Sequence, residues 1–204
     1  MRTVNWIVGM ALLVMVASCT KDDFHKTGIS KGRFDGSMLE YMKAHHYDWD
    51  STVLMVEQAG LESLFDGEEP ITFFGPTNLS ILRYMLRNNI ERVKDMTPEF
   101  CRETLLRHVM KGKMMRTEFP HGTASSESGE VVGKDGGFYS MMGENRIWAY
   151  TRKDEYNGVK EAGPLLLYIS SIDKNKKIDI ASGDIEPNNG VVHSLSYQFT
   201  LDDM

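Results

Sequence analysis

The chain has 204 residues, of which 41% are apolar and 25% are charged, and its formal charge is −6. These proportions are typical of a soluble globular protein of about one domain. The acidic balance argues against a nucleic-acid partner, because binding of nucleic acid requires a basic face.

The first 18 residues have the pattern of a secretion signal. Arg2 supplies a positive start, residues 6–16 form an apolar run, and Val16-Ala17-Ser18-Cys19 closes it. The run is too short to cross a bilayer, which takes ~20 residues of helix, but it fits a signal that ends at a small-residue cleavage site. The closing pattern resembles a bacterial lipobox, which implies that residues 1–18 are removed and that Cys19 is lipidated. The alternative is an ordinary signal in which Cys19 happens to follow the cleavage site.

Residues 19–33 are predicted to form the lipid anchor and a flexible tether. Lys21-Asp22-Asp23 resembles a signal by which one group of Gram-negative bacteria exports lipoproteins to the outer face of the outer membrane. We therefore expect a lipid-anchored outer-membrane protein that is exposed on the cell surface, with the periplasmic face as the alternative. Lipidation leaves Cys101 unpaired, and its helical surroundings favour a buried structural thiol over a reactive one.

Helical patterns occupy the first half of the remaining chain. Ser37 can cap a helix, because Glu40 stands at capping-box spacing from it. A second helix is predicted to start at Asp50 or Ser51 and to stop near Gly60. A further turn at 61–65 is followed by a short run at 71–74, whose β-branched and aromatic residues favour a strand.

Two more helices are predicted from their start signals. Thr77 follows a Gly-Pro turn and is suited to accept hydrogen bonds from the first-turn amides, and Leu79, Leu82 and Leu86 then form an apolar helical stripe. Thr97-Pro98-Glu99 combines an N-cap, a first-turn proline and an acid, and predicts a helix that ends near Gly112.

Extended runs separated by glycine turns dominate the second half of the chain. The candidate strands are 130–132, 138–142, 146–151, 165–172, 177–181 and 191–201. Residues 121–129 are polar and predict a solvated loop. A helical half followed by a strand half indicates the α+β class.

Three stretches resemble the fasciclin-like (FAS1) domain in their order and spacing. The first, 71–81, contains the turn Pro76-Thr77-Asn78; the second, 105–113, has the central His108; the third, 184–195, contains Asn189-Gly190 and His193. The resemblance covers about 34–202. It implies one domain over 34–204, built as a wedge of two packed β-sheets with several helices from the N-terminal half, and a role in adhesion or ligand binding.

The chain departs from the family pattern at two places. Arg107 stands before the central histidine, where the family often has tyrosine, and Ser194-Leu195-Ser196 follows His193 instead of an apolar residue and an acid. Adhesive determinants of relatives are therefore not carried over to this chain. We interpret the motif residues as structural; they are Pro76, Thr77, Asn78, His108, Asn189, Gly190 and His193.

The residues that could carry chemistry all have simpler structural interpretations. His108 is predicted to lie in the middle of a helix and His193 in a strand, so each is interpreted as a core histidine, with a base or ligand role as the alternative. His45 and His46 are adjacent and cannot form the i, i+4 pair that binds zinc. No metal and no cofactor is predicted. The strand aromatics are interpreted as core, and a sugar-stacking or protein-binding surface is the alternative for Trp49, Tyr139, Trp148, Tyr150 and Tyr156.

The sequence contains no nucleophile elbow and no phosphate-cradling glycine loop, so we do not expect an enzyme. The preferred hypothesis is a surface-anchored, non-catalytic adhesion or ligand-binding module, with the membrane reached through the lipid and a protein or glycan as ligand. The alternative is an accessory subunit of an outer-membrane glycan or nutrient-uptake complex, in contact with its transporter. A hydrolase that uses His108 or His193 is the remote alternative.

Overall fold

The computed structural model describes residues 32–204, and the predicted signal, Cys19 and residues 20–31 lie outside that range. The α-helices are α1 (Met38–Ala44), α2 (His46–Gln58), α3 (Glu62–Asp66), α4 (Asn78–Arg87) and α5 (Pro98–Arg107). The strands are β1 (Ile71–Gly75), β2 (Val109–Lys111), β3 (Gly122–Thr123), β4 (Lys134–Asp135), β5 (Gly137–Ser140), β6 (Arg146–Lys153), β7 (Leu165–Ser171), β8 (Lys176–Ile185) and β9 (Gly190–Leu195). Short 3₁₀ turns occupy Val93–Asp95, Arg116–Glu118 and Leu201–Asp203. The helical first half and stranded second half confirm the α+β class. None of the helices in this range has the length and apolar character that a bilayer crossing requires.

Seven strands form one hydrogen-bonded series in the order β2-β1-β9-β8-β7-β6-β5, and β3 pairs with β4. Strand β8 changes partner along its length: Lys176–Asp179 pairs with β7, whereas its second half pairs with β9 through two register shifts. Such irregularities bend a strand and increase its twist. The two sheets of the expected wedge are therefore two portions joined through β8, and both contribute to one hydrophobic core.

The chain enters the described domain beside the end of β8. Arg33 forms a parallel bridge with Glu186, and the Phe34 amide donates to the Glu186 carbonyl at 2.9 Å. The first helix then begins as predicted. The Glu40 amide donates to the Ser37 hydroxyl at 3.1 Å, and the Ser37 amide donates to the Glu40 carboxylate at 2.8 Å, which confirms the capping box.

Helix α2 begins at His46, four residues before the predicted start at Asp50. The extension brings Trp49 into the core, where it is almost fully buried. Gly60 follows the helix with a φ of 61°, in agreement with the predicted stop. The start of α2 is therefore set by the burial of Trp49 and not by the capping residues Asp50 and Ser51.

The apolar stripe of α4 faces solvent. A stripe of this period on a surface helix normally packs on the core. Here Leu79, Leu82 and Leu86 are 58%, 46% and 70% exposed, and the buried side of the helix carries Ser80, Ile81 and Met85 instead. The turn before α4, described below, fixes this orientation.

Helix α5 starts as predicted and ends earlier. The Thr97 hydroxyl accepts from the Phe100 amide at 3.2 Å. The prediction that the helix continues to Gly112, with His108 in its middle, was wrong: His108 is the C-cap and Val109 begins β2. The Phe74 amide donates to the His108 carbonyl at 2.9 Å, so pairing with β1 draws the chain out of the helix.

The strand predictions agree best with the structure in the central strands β6 and β7. Strands β6 and β7 fall on the predicted segments, and β8 continues to Ile185, past its predicted end at 181. Residues 130–132 form no strand, and β9 stops at Leu195 instead of running on to 201. Among the aromatics, Trp49, Trp148 and Tyr150 are buried, Tyr139 is half-buried, and Tyr156 is exposed. Cys101 is fully buried, and burial raises the pKa of its thiol to about 11.

Candidate binding surfaces and the family motifs

The Pro76-Thr77-Asn78 turn fastens the start of α4 to the start of α2. The Asn78 side-chain carbonyl accepts from the Ser51 amide at 2.7 Å, and its NH₂ group donates to the Tyr47 carbonyl at 2.8 Å. The Thr52 hydroxyl donates to the Pro76 carbonyl at 2.6 Å. These three bonds set the rotation of α4 about its axis and so determine which side of the helix is buried.

Thr77 occupies the N-cap position of α4 but makes no capping hydrogen bond through its side chain, so that prediction was wrong. Its hydroxyl lies 3.4 Å from the Ser80 hydroxyl, which in turn lies 3.4 Å from the Ser196 carbonyl. The side chain is therefore engaged with the buried side of the helix instead of with the first-turn amides.

Asn189 and Gly190 join three separate parts of the domain. The buried Asn189 side chain accepts from the Met38 amide at 2.7 Å and donates to the carbonyls of Phe65 and Gly67, each at 2.9 Å. Only Gly190 has a positive φ, 151°, and a Cβ there would lie 2.0 Å from the Ile71 carbonyl oxygen. Asn189 has no positive φ and contributes through its side chain.

His108 is fully buried at the end of α5. Its Nδ1 lies 2.7 Å from the Thr104 carbonyl, so Nδ1 carries the proton and donates. Burial lowers the pKa of His108 to about 4. Nε2 finds no hydrogen-bond partner within residues 32–204, and the ring packs edge-on against Phe199 at 5.5 Å. A neutral imidazole without solvent access is suited to packing and not to proton exchange with a substrate.

His193 is buried with both ring nitrogens engaged. Nε2 donates to the Met114 carbonyl at 3.0 Å, and Nδ1 accepts from the Asp184 amide at 3.3 Å. The ring stacks on Phe74 with centroids 5.4 Å apart. Burial lowers the pKa of His193, so this residue is also neutral at physiological pH. Within residues 32–204 no group of three or more His, Cys, Asp or Glu side chains could hold a metal ion.

Exposed apolar side chains lie on the adjoining helices α4 and α2, and we call these five residues the leucine face. It consists of Leu79, Leu82 and Leu86 of α4 with Tyr47 and Leu54 of α2. Tyr47 and Leu54 are 86% and 52% exposed, and residues seven apart lie on the same side of a helix. The Asn78–Tyr47 hydrogen bond holds the two helices together at this surface. The leucine pattern was visible in the sequence, but its exposure was not.

The family assignment rests on these elements and on direct comparison. The fasciclin domain family matches residues 48–198. The chain belongs to the fasciclin domain family. Its fold is similar to that of a FAS1 domain pair from the insect cell adhesion molecule Fasciclin I, with a TM-score of 0.55 and 15% sequence identity. The match covers 83% of this chain and 53% of that one, so the chain spans about half of the domain pair. No curated protein matches the sequence.

The residues of the fasciclin motifs form contacts that link separate helices and strands of the domain. The Pro76-Thr77-Asn78 turn orients α4, Asn189 links α1, α3 and β9, and each of the two histidines closes a buried contact. The structure does not bring these residues together into one pocket that faces solvent. The surfaces that could recognise a ligand therefore lie outside the motifs.

Proposed function

We propose that this fasciclin-domain protein is a lipid-anchored, non-catalytic module that binds a protein partner through the leucine face. One observation carries the proposal: the apolar stripe of α4 is exposed to solvent, and no segment within residues 32–204 covers it. Single exposed apolar residues are common on protein surfaces, whereas a contiguous apolar patch marks an interaction site.

The geometry of α4 favours a helical partner with acidic residues. Leu79, Leu82 and Leu86 follow i, i+3, i+7 spacing, which is the spacing of helix-on-helix anchors. Arg83 and Arg87 border them on the same helix. A second copy docked about a two-fold axis at the middle of the stripe would bring Arg83 near its own counterpart, which is unfavourable. A different protein that offers an apolar ridge flanked by carboxylates complements this surface better.

The state of the two motif histidines supports a non-catalytic role. His108 and His193 are buried, neutral and held by backbone groups, so neither is available to a substrate. Fasciclin domains are generally adhesion modules, and the family assignment agrees with that role.

The lipobox and Lys21-Asp22-Asp23 support an anchor in the outer membrane with the domain on the outer face. Residues 20–31 separate Cys19 from the domain, and twelve residues span at most about 40 Å when fully extended. The partner would therefore be found at or near the bilayer. Permanent interfaces are more apolar than transient ones, so the leucine face also favours the second candidate, an accessory subunit of an outer-membrane uptake complex.

Co-purification from detergent-solubilised outer membrane tests the proposal. The unaltered protein should retain a defined membrane protein that the double variant Leu82→Glu/Leu86→Glu loses. Val159→Glu is the matched control, because Val159 is equally exposed but lies elsewhere. The proposal is wrong if the leucine variant retains the same protein, if the unaltered chain purifies alone, or if it forms only homodimers.

The anchor is tested separately. Replacement of Cys19 by serine should abolish incorporation of labelled palmitate and release the protein from the membrane fraction. Surface exposure is checked by protease treatment of intact cells, and protection of the domain would favour the periplasmic face.

A further inference from the structure

A small pocket lies on the outer face of β6, β7 and β8, on residues separate from the leucine face. It encloses about 230 Å³. Its lining combines aromatic and charged side chains; the principal ones are Trp148, Tyr150, Arg152, Tyr168, Lys177 and Asp179. None of these residues belongs to the fasciclin motifs.

The strand register builds the floor of the pocket. Tyr150 is paired with Tyr168, which is paired with Asp179, and Trp148 is paired with Ser170 in the adjacent row. These side chains share one face of the sheet, because the partners of a directly opposed pair point to the same side. The rings of Tyr150 and Tyr168 stack at 5.1 Å with an angle of 15° between their planes.

The segment that carries β3 and β4 forms the wall. The Trp148 indole N–H donates to the Asp135 carbonyl at 3.1 Å, and Ala124 and Val131 reach the rim. Gly136 allows this close approach, because a Cβ there would lie 2.8 Å from the indole nitrogen. The segment buries Trp148 and Tyr150 but leaves Tyr168 partly exposed, so part of the Tyr168 ring reaches the pocket.

The polar groups around Tyr168 are largely free to bind a ligand. Within residues 32–204, the side chains of Asp179, Lys177 and Ser170 form no hydrogen bond and no ion pair. Only the backbone of these residues is hydrogen-bonded, for example through the pairing of β7 with β8. Arg152 lies over the Tyr168 ring at 5.3 Å and contacts Asp154 at 3.2 Å. The pocket thus offers one carboxylate acceptor and cationic donors beside an aromatic ring.

We propose that this pocket binds a single neutral sugar ring. A pyranose presents C–H groups to an aromatic face, and each of its hydroxyls can both donate to Asp179 and accept from Lys177. An anion would meet the Asp179 carboxylate, and a cation would meet Lys177 and Arg152, so an uncharged polyhydroxylated ligand suits the mixed charges best. The volume is below the range of about 300–1,000 Å³ found for drug-sized ligands, which limits the pocket to one ring.

A neighbouring cleft could hold the rest of a glycan whose terminal sugar occupies the pocket. Arg152 also lines this open cleft of about 690 Å³, whose other residues are mostly charged and include Lys153, Asp154 and Glu161. A glycan whose terminal ring occupies the pocket would continue along this cleft. The cleft has no Phe, Tyr or Trp in its lining, so recognition is assigned to the terminal ring.

Saturation-transfer NMR on the full mature protein tests the inference. The probes are methyl glucoside, methyl galactoside, methyl mannoside and N-acetylglucosamine, with glucuronate and lysine as charged comparisons. We expect saturable binding of at least one neutral sugar, and Asp179→Ala should weaken it at least about tenfold, because a charge-assisted hydrogen bond is lost. Tyr168→Ser should abolish saturation transfer from the protein to the C–H protons of the sugar ring.

Asp173→Ala is the matched control, because Asp173 is an exposed acid in the turn between β7 and β8 that does not line the pocket. It should bind the sugar as the unaltered protein does. Thermal unfolding of all variants checks that they remain folded. The inference is overturned if no neutral sugar binds, if Asp179→Ala binds as well as Asp173→Ala, or if a charged probe binds more tightly than every neutral one.

Discussion

The Asn189 side-chain amide donates to the Phe65 carbonyl at 2.9 Å across 124 positions of sequence. The same side chain also holds the Met38 amide, so one residue near the C-terminus satisfies backbone groups of two N-terminal helices. Buried backbone groups that lose their partner are costly, because water cannot replace it.

We therefore expect Asn189→Ala to lower the free energy of unfolding by roughly 2–4 kcal/mol, since it leaves a buried amide and two carbonyls without a partner. Urea denaturation measures the change. Asn188→Ala is the control, because Asn188 is exposed and its side chain contacts Asp35 only at 3.4 Å. Equal stability of the two variants would contradict the assigned role.

Gly190→Ala should be far more damaging than Gly60→Ala. Both glycines have positive φ, but a Cβ at Gly190 would lie 2.0 Å from the Ile71 carbonyl oxygen, whereas a Cβ at Gly60 meets nothing within 4 Å. We expect a loss of about 1 kcal/mol from backbone strain at Gly60 and a larger loss, up to failure to fold, at Gly190. Thermal unfolding and soluble yield compare the two, and a similar loss in both would argue against a steric cause.

Stability should fall as pH decreases from about 7 toward 4. Burial holds the pKa of His108 at about 4 in the folded protein, below the unfolded value near 6.5, so the unfolded state binds protons first. The stabilisation is complete above pH 6.5, and roughly 3 kcal/mol of it is lost by pH 4. Urea midpoints across this range measure the slope.

Carboxylates also titrate in the lower part of that range, so the comparison needs a variant. His108→Asn retains a donor for the Thr104 carbonyl but cannot titrate, and its stability should depend less on pH. His121→Asn, which replaces an exposed histidine, is the matched control. An unchanged slope in His108→Asn would show that other groups cause the effect.

The orientation of α4 predicts different losses of stability for substitutions on its two sides. Leu86→Gln should change the free energy of unfolding by no more than about 0.5 kcal/mol, because Leu86 is exposed. Ile81→Ala should cost about 2–4 kcal/mol, because Ile81 is fully buried. Chemical denaturation distinguishes them, and a large loss for Leu86→Gln would mean that the leucine stripe is packed.

Local signals in the sequence predicted the elements that depend on nearby residues. The capping box at Ser37 and the start signal at Thr97 each act over three or four residues, and both formed as expected. The long runs in β6 and β7 also identified their strands, because a buried central strand leaves a clear apolar pattern.

The sequence-based predictions were wrong where contacts between residues far apart in the sequence determine the local structure. The face of α4 that is buried depends on Asn78 reaching α2 and on Ser80 lying near Ser196, 116 positions away. The end of α5 depends on pairing with β1, which no pattern around His108 reveals. The pocket on β6–β8 depends on strand register, so its aromatic residues could be noted in the sequence but not assembled.

The parallel pairing of β1 with β9 has a mechanical consequence if the domain is anchored and bound as we propose. The chain enters beside Glu186, next to the start of β9, whereas α4 leaves from the far end of β1, where Gly75 is paired with Ser194. Tension between the lipid and a partner held on α4 would pull the two strands in opposite directions along their length. Their five paired positions would then bear the force in shear, all at once, instead of opening one after another.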